Sequence, residues 1–537
     1  MRRGHLPLVA VLAASVALRL WGIDFGLPHT FARPDEDAVV AIGRGFVGVT
    51  LKPAFFDWPS MFMYAVAVAY ALYFNIGRFL GSFPRDATFI AATAVNQALL
   101  FLIPRVLSAT AGVLTVDAVY RIGARLFDRT TALLGAAFLA VAALHVRDSH
   151  FGVTDVTATW LLTISFLFTV KYARGGRDRD VLLSSLFAGL AASTKYNAVI
   201  VMLPGAWAIA SHTAGGSQAA GGKRVRLLCL YVLVAAAAFL LGTPYAALDP
   251  KPFLMSLRNV ISDLRAGRTA FAGYAWRVHL ASSLRYGLGV PMLAAGIGGF
   301  ALYCWRDRRA GVLFAMTPVA YFAIIGAGQT AFARYIIPTL PFLCIGAAYF
   351  TVEAAQAIGR SSRHPHATVA LTGLLAALVA APSAWSAIQS DRLLGRIDNR
   401  LLAAQWLHDQ FRVGATIYQS GSVYGLVQMQ TSDPEGGDRY PQVTFDENSA
   451  RFYDAKGAAT PPPELIVVTE CPLAYCSVPA TLPPVLARYV LLQTLTAVDP
   501  TYSGLVYDRD DAFFVPLAGF GAVTRPGPNL MIYRRRD

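Results

Sequence analysis

The sequence is poor in charged residues, and acidic residues are the scarcer kind. Only 15% of its 537 residues are Asp, Glu, Lys or Arg, whereas soluble domains contain about 25%. Hydrophobic residues make up 55%, and mean hydropathy is +0.48. These values exclude a disordered chain and an ordinary soluble enzyme, and five cysteines in so long a chain exclude a disulfide miniprotein. The composition indicates a polytopic membrane protein.

Charge is absent altogether from four long stretches. These are residues 196–222, 227–248, 310–333 and 364–390. A helix that crosses a bilayer needs about 20 apolar residues, so the stretches predict membrane spans. The first 388 residues carry a net charge of +17, with 33 Lys or Arg against 16 Asp or Glu. We interpret the excess as a topology signal, because cytoplasmic loops collect Lys and Arg, and we expect no nucleic-acid partner.

The hydrophobic runs predict a membrane body at residues 1–388 with thirteen candidate helices. The total number of transmembrane helices is expected to be between eleven and thirteen. The candidate spans are 6–23, 58–80, 87–103, 104–121, 131–146, 154–172, 181–196, 197–212, 226–243, 286–304, 311–327, 332–352 and 367–388. A cytoplasmic N-terminus puts nineteen Lys or Arg in inside segments and seven in the short outside segments. The span 87–103 is the weakest, since an interfacial helix fits it as well. The prediction is a multi-pass protein of the inner or plasma membrane.

The last 149 residues differ from the body in charge and pattern. Residues 389–537 have a net charge of −3 and are predicted to form an extracytoplasmic mixed α/β domain. Apolar periodicity predicts a helix at 398–411, and short apolar runs predict strands. The strands are expected near 415–419, 464–469, 489–495 and 529–533. No residue of this tail is predicted to be catalytic.

Two of the five cysteines lie in the predicted tail. Cys471 and Cys476 enclose Pro-Leu-Ala-Tyr. A local disulfide and two free thiols are both compatible with this pattern outside the cytoplasm. The spacing is wrong for a CxxC redox or zinc motif.

Three consecutive acids follow the first predicted span. Asp35, Glu36 and Asp37 come directly after Arg33 and Pro34. Pro34 keeps the preceding residue extended and can begin a helix at Asp35. The acids could simply complement the dipole of that helix, or they could supply a general base or a metal pair at Asp35 and Asp37.

A second polar segment lies between the fifth and sixth predicted spans. Residues 145–155 contain two His, two Asp and one Arg. A solvated turn with Asp155 as a helix cap explains the segment without function. A zinc site is the alternative, although no fixed-spacing signature such as HExxH supports it.

Isolated cations lie at the outer rim of three separate predicted spans. They are Arg105, Lys195 and Arg334. Each alone fits a side chain that extends to the lipid headgroups. Three on the face that carries the acidic loop could together hold a phosphate or diphosphate.

At these residues the chain resembles the GT-C membrane glycosyltransferases. The similarity is to the family 39 type, which comprises protein O-mannosyltransferases, aminoarabinose transferases and related bacterial enzymes. It is carried by Asp35-Glu36, Ser149-His150 with Asp155, Lys195-Tyr196, Arg334-Tyr335 before Pro338 and Pro341, and Thr243-Pro244-Tyr245 before Asp249-Pro250. The order of these motifs and the outward tail extend the resemblance over the whole chain.

The resemblance implies a sugar donor linked to polyprenyl phosphate and inverting transfer to an acceptor hydroxyl on the outer face. It implies that Asp35 is the base, with Glu36 beside it, and that Arg105, Lys195 and Arg334 bind the donor phosphate. Outer segments 24–57, 145–155 and 244–285 would form the catalytic side of the body. Other members of the set are expected to line the cavity: Arg33, Asp37, His150, Asp155, Tyr196 and Tyr335.

Two departures from the pattern keep alternatives open. Arg33 stands where bacterial relatives often have His, and Asp37 creates an Asp-x-Asp pattern. This pattern makes a divalent metal the alternative to a reaction without cofactor. Protein, lipid and glycan all remain as acceptors, and membrane lipids surround the body.

Two functions without catalysis are alternatives to glycosyl transfer. A flippase for lipid-linked sugars would share the spans, but no internal repeat is visible and the polar residues cluster at one face. A receptor that uses the tail as a binding module is the other.

Overall fold

The protein folds into two compact units, of which the first is mostly helical and the second is mixed α/β. The computed structural model describes residues 6–94, 97–211, 218–266, 273–360, 365–411, 414–429, 440–509, 511 and 513–536. The first unit comprises Met1–Trp21 and Ala38–Ile388, and the second comprises Gly22–Asp37 and Gln389–Asp537. The division after Ile388 coincides with the predicted domain boundary. The acidic segment, however, groups with the tail instead of the membrane body.

Helices account for the first unit. They are α1 (Leu6–Leu20), α2 (Glu36–Gly48), α3 (Met61–Phe79), α4 (Phe89–Ala92), α5 (Ala98–Leu126), α6 (Arg129–Ala140), α7 (Ala143–Asp148), α8 (Thr154–Gly175), α9 (Asp178–Ala192), α10 (Met202–Ser211), α11 (Gln218–Gly242), α12 (Tyr245–Leu248), α13 (Pro250–Ala266), α14 (Ala275–Val278), α15 (Arg285–Leu288), α16 (Val290–Arg306), α17 (Arg308–Gly326), α18 (Leu340–Gly359) and α19 (Pro365–Leu394). A π-helical turn spans His279–Leu284, and 3₁₀ segments span Tyr196–Val201 and Ala333–Thr339.

Seven helical segments in the described part of the chain are long and apolar enough to cross a membrane. They are Met61–Phe79, Ala98–Leu126, Thr154–Gly175, Gly221–Gly242, Arg308–Gly326, Ala333–Gly359 and His366–Gln410. An eighth results if Ala275–Leu288 and Val290–Arg306, bent by 110° at Gly289, form one span. Three further predicted spans correspond to shorter apolar helices, at Leu6–Leu20, Arg129–Ala140 and Tyr196–Ser211. The multi-pass membrane architecture is confirmed.

The prediction of separate spans at 87–103 and 104–121 is wrong. A single helix, α5, continues through Pro104. Proline lacks the N–H that would bond to the carbonyl four residues earlier, which belongs to Leu100. In the structure this carbonyl accepts a hydrogen bond from the Tyr70 hydroxyl of α3. A tertiary contact therefore replaces the helical hydrogen bond and removes the need for a break.

Small residues let the helices of the first unit approach closely. An added Cβ at Gly346 of α18 would lie only 2.8 Å from the carbonyl oxygen of Gly296 on α16. An added Cβ at Gly189 of α9 would lie even closer to the carbonyl oxygen of Ala235 on α11. Close contact through glycine is typical of helices in membranes, where packing replaces the hydrophobic effect.

The tail forms the predicted mixed α/β structure. Helix α20 (Asn399–Gln410) begins after Asp398, whose carboxylate accepts from the Arg400 N–H. The other elements are α21 (Leu482–Leu486) and strands β1 (Ile417–Gln419), β2 (Thr444–Asp446), β3 (Arg451–Tyr453), β4 (Ala459–Thr460), β5 (Leu465–Glu470), β6 (Tyr489–Leu495) and β7 (Asn529–Arg535), with 3₁₀ turns at Ala474–Cys476 and Phe520–Ala522. The order β1-β5-β7-β6 defines one sheet, in which β1 and β5 are parallel.

Each face of this sheet has its own core. Ile417, Leu465 and Ile532 pack with Ala403 and Leu407 of α20. The alternate residues pack on the other side, where the second sheet, β2-β3-β4, contributes Phe452. The sequence analysis missed that second sheet, because strands of two or three residues have no measurable period.

Candidate active site

The acidic segment adopts a backbone conformation that is unusual for its residues. Asp35 has φ +72°, and it is one of two residues other than glycine with positive φ in the described part of the chain. Such a conformation costs free energy and persists only where surrounding contacts maintain it. Helix α2 begins at the next residue, Glu36. The predicted start at Asp35 is therefore displaced by one position, and Asp35 forms the turn that precedes the helix.

Arg33, the residue before Pro34, forms a buried ion pair with a carboxylate of the tail. Nη2 of Arg33 lies 2.9 Å from each carboxylate oxygen of Asp511, and both side chains are fully buried. Nη1 of Arg33 donates to the Pro34 carbonyl and lies 3.8 Å from a carboxylate oxygen of Asp35. Arg33 thus holds the acidic turn to the tail, whereas the sequence analysis assigned it to the cavity wall.

The three acids of the segment differ in exposure. The side chain of Asp35 keeps 30% of its accessible surface, while Glu36 is 1% exposed. Asp37 is partly buried and accepts a hydrogen bond from the Tyr424 hydroxyl at 3.3 Å. Asp35 is therefore the more accessible of the first two carboxylates.

Tyr424 of the tail contacts the acidic turn through its hydroxyl group. The hydroxyl donates to the Asp37 carboxylate, and its oxygen lies near the backbone N–H of Asp35. Burial, together with the carboxylates of Asp37 and Asp35, raises the pKa of the Tyr424 hydroxyl. The phenol therefore stays protonated and remains a hydrogen-bond donor at neutral pH.

Further contacts fix the residues that lead into the turn. The Arg400 guanidinium binds Asp398 and donates to the carbonyls of Phe31 and Tyr424. The His29 ring bonds to the Leu426 carbonyl at 2.9 Å. Burial and the nearby Arg400 charge lower the pKa of His29 to about 4, so its ring is neutral at pH 7.

A disulfide closes the loop beside Tyr424. Cys471 and Cys476 are joined, with their Cα atoms 5.5 Å apart. Between them, Tyr475 packs edge-on against Tyr424 with ring centroids 5.1 Å apart. The disulfide therefore belongs to the same cluster of contacts as the acidic turn.

The predicted cations lie in the first unit, and two of them are neighbours. Lys195 is partly buried and forms an ion pair with the buried Asp155, and its ammonium lies 4.6 Å from the centre of the Tyr335 ring. Arg334, which precedes Tyr335 in a 3₁₀ segment, is close enough to interact electrostatically with Lys195. This cluster (Asp155, Lys195, Arg334, Tyr335) brings two cations together, and the carboxylates of Asp155 and Asp148 both act on Lys195.

Arg105 and Tyr196 occupy defined positions in the same unit. Arg105 of α5 is fully buried. An added Cβ at Gly152 would lie 2.9 Å from the Pro104 side chain and 3.3 Å from the backbone nitrogen of Arg105. The segment that leads to Asp155 therefore packs directly on α5. The Tyr196 hydroxyl donates to the Phe56 carbonyl at 2.7 Å, and its ring packs against Phe253 of α13.

The histidines of the second polar segment are packed into the protein body. His150 is fully buried, and its ring nitrogens lie 3.0 and 3.1 Å from the carbonyl oxygens of Val146 and Trp21. His145 Nδ1 accepts from Arg19 at 2.9 Å. Arg19 also donates to two carbonyls at the end of α6. Among the described residues, no three His, Cys, Asp or Glu side chains are grouped to hold a metal ion.

The structure thus arranges the predicted residues as two groups. Arg33, Asp35, Glu36, Asp37 and the two disulfide cysteines belong to the second unit. The first unit holds the others: Arg105, His150, Asp155, Lys195, Tyr196, Arg334 and Tyr335. The sequence analysis missed Asp511, Tyr424 and Arg400, which no local pattern distinguishes from other tail residues. It also gave no role to Arg19, although an arginine inside an apolar helix was a usable signal.

Part of the sequence matches a known family. Residues 101–242 match the sequence profile of the dolichyl-phosphate-mannose-protein mannosyltransferases. This range includes Arg105, Asp155 and Lys195. No curated protein matches this sequence significantly.

Solved structures reveal the fold. The structure of ArnT from Cupriavidus metallidurans bound to undecaprenyl phosphate aligns with a TM-score of 0.52 and 15% identity, over 99% of this chain and 98% of that one. The apo oligosaccharyltransferase of Archaeoglobus fulgidus aligns with a TM-score of 0.49 and 13% identity, over 76% of this chain. This chain spans only 59% of the length of the archaeal protein. The fold is that of the GT-C membrane glycosyltransferases.

Proposed function

We propose that this GT-C-fold protein is an inverting glycosyltransferase that uses a sugar linked to polyprenyl phosphate. The observation that carries the proposal is the family match over residues 101–242, because this segment contributes the partly buried Lys195–Asp155 pair and the buried Arg105. ArnT, whose fold the chain shares, was solved with undecaprenyl phosphate. A lipid phosphate is therefore the donor class that we assign.

In the proposed reaction, one bond to the anomeric carbon forms while another breaks. Asp35 accepts the proton of an acceptor hydroxyl, whose oxygen attacks the anomeric carbon as the bond to the donor phosphate breaks. The products are the glycoside with inverted configuration, protonated Asp35 and free polyprenyl phosphate. Partial exposure supports this role for Asp35, while the contacts of Arg33 and Tyr424 keep the turn in place. A positioned base contributes about 10²–10⁴-fold to such a step.

The cations are assigned to the leaving group. Negative charge grows on the phosphate as the bond breaks, and fixed cations in a site of low dielectric stabilise it. Lys195 and Arg334 provide two neighbouring charges, and Asp155 and the Tyr335 ring hold the lysine in position. Arg105 is proposed as the third phosphate ligand.

We further propose that the reaction occurs on the outer face and needs no metal. The orientation follows from the distribution of Lys and Arg, which puts the N-terminus in the cytoplasm and the tail outside. The Asp35–Asp37 pair is the metal alternative, but Asp37 accepts from Tyr424, and Asp35 has the Arg33 cation 3.8 Å away. A nearby cation and a bound donor disfavour cation binding.

Substrate tests of the purified protein in nanodiscs address the reaction class directly. The protein is incubated with a panel of radiolabelled polyprenyl-phosphate sugars and with peptide, lipid and glycan acceptors. We expect one donor to give a new glycoside together with free polyprenyl phosphate. Transbilayer movement of the donor in vesicles without glycoside formation would instead identify a flippase and contradict the proposal.

A further inference from the structure

We propose that Tyr424 is a positioning residue that holds the acidic turn in its active geometry, and that the 471–476 disulfide supports it from behind. The inference rests on the proposed function, since it assigns a role in the transfer reaction to the tail. Tyr424 acts through Asp35 and Asp37 and is not itself assigned a contact with substrate.

The first step of the argument is the position of one hydroxyl. The phenol of Tyr424 donates to the Asp37 carboxylate at 3.3 Å, and its oxygen lies near the Asp35 N–H. These two residues lie on either side of Glu36, at the junction of the turn and α2. A single side chain therefore reaches both the residue with positive φ and the first turn of the helix.

The second step concerns the cost of the turn. Asp35 has φ +72°, a conformation that costs about 1–3 kcal/mol for a residue other than glycine unless surrounding contacts compensate. The Tyr424 hydroxyl beside the Asp35 N–H is one such contact. Removal of the hydroxyl takes away this contact and the bond to the Asp37 carboxylate, so the carboxylate of Asp35 would be held less firmly in its position.

The third step connects Tyr424 to the disulfide. The 424 ring meets the Tyr475 ring, and the Tyr475 carbonyl accepts from the Ser422 N–H at 3.0 Å. An added Cβ at Gly421 or Gly425 would lie 2.5 Å from that same carbonyl oxygen. The strand–turn that carries Tyr424 is therefore closely packed against residue 475. The Cys471–Cys476 bond restricts the loop that presents residue 475, since it closes a ring of only a few residues.

The test compares Tyr424→Phe with a matched Tyr502→Phe control in the full-length protein. Tyr502 lies in the same tail and is 48% exposed. We expect Tyr424→Phe to lower kcat at least tenfold and to leave the KM for the lipid donor within threefold. The melting temperature should stay within about 2 °C, and the control should match wild type. A purely structural role would change stability and KM together, and unchanged kcat in Tyr424→Phe would overturn the inference.

A double-mutant cycle tests the link to the disulfide. We expect Cys471→Ser/Cys476→Ser to lower kcat about three- to tenfold in the wild-type background and to have no further effect in Tyr424→Phe. Independent, multiplicative losses would refute the connection through Tyr475. The Asp35→Asn variant separates the two proposals. If it is inactive while Tyr424→Phe is fully active, only this inference fails; if it is fully active, the proposed function fails.

Discussion

Arg33 and Asp511, separated by 478 positions in the chain, form a buried ion pair in which one guanidinium nitrogen lies 2.9 Å from both carboxylate oxygens. The pair joins the acidic turn to the far end of the tail. A buried ion pair is costly to break by removal of one partner, because the other charge remains without compensation. The acidic turn therefore depends on a residue that lies close to the C-terminus.

The first prediction follows from this pair. Asp511→Asn should weaken the packing of residues 22–37 against the tail by about 3–5 kcal/mol, since it leaves the Arg33 charge buried. Hydrogen exchange of the peptide that covers residues 22–37 should accelerate, and transfer activity should fall. Asp499→Asn is the control, because the Asp499 carboxylate accepts from the nearby Thr501. Equal exchange in the two variants would show that the pair does not anchor the turn.

The second prediction concerns pH. Because the folded pKa of His29 is about 4 and the ordinary value is 6.5, the unfolded segment binds more protons between these limits. The stability of the segment should thus be complete above about pH 6.5 and should fall as the pH drops towards 4. The loss between pH 7 and pH 5 should be about 2 kcal/mol.

His29→Gln isolates this effect, since glutamine does not titrate. Exchange of residues 22–37, corrected for the intrinsic pH dependence of exchange, should show the pH-dependent opening in wild type and much less of it in the variant. If both proteins show the same pH dependence, another group controls the segment.

The third prediction addresses the phosphate ligands. Lys195→Met should lower kcat/KM for the lipid-linked donor by about 10–100-fold, because a charge-assisted contact to the leaving phosphate is lost. Lys223→Met is the matched control, since Lys223 lies in the same unit and pairs with Asp178 at the surface. Comparable losses in both variants would point to a general effect of charge, and wild-type kinetics in Lys195→Met would remove the residue from the site.

The fourth prediction is that transfer survives chelation. EDTA treatment, followed by assay in chelator-treated buffer, should leave at least half of the activity, because the Asp37 carboxylate is already occupied by the Tyr424 hydroxyl. Restoration of a lost activity by a divalent ion would favour the metal-dependent alternative at Asp35 and Asp37.

Local patterns predicted those parts of the fold that local physics determines. The α20 helix and the strands Ile417–Gln419, Leu465–Glu470, Tyr489–Leu495 and Asn529–Arg535 lie where apolar periodicity predicts them. The wrong prediction of a break at Pro104 arose because a tertiary contact, and not a local pattern, determines the structure there. The hydrogen bond that replaces the missing one comes from Tyr70, which no local rule around Pro104 can supply.

The same distinction applies to the candidate site. Asp35, Glu36 and Asp37 stand out in the sequence because acids are scarce in residues 1–388. Their supports could not be predicted, because Tyr424 lies 387 positions from Asp37 and nothing near it in the chain marks its role. The ion pair of Arg33 with the buried Asp511 carboxylate could not be predicted either, because its partner lies 478 positions away.

The activity of Asp35→Asn tests the central claim most directly. Asparagine tolerates positive φ well, so the turn should persist while the base is lost. Asp24→Asn is the control, since Asp24 is an exposed acid of the same segment. With the identified donor and acceptor, we predict that kcat falls by about 10²–10⁴-fold with little change in donor affinity, and that the control equals wild type. Activity of Asp35→Asn within threefold of wild type would contradict the account.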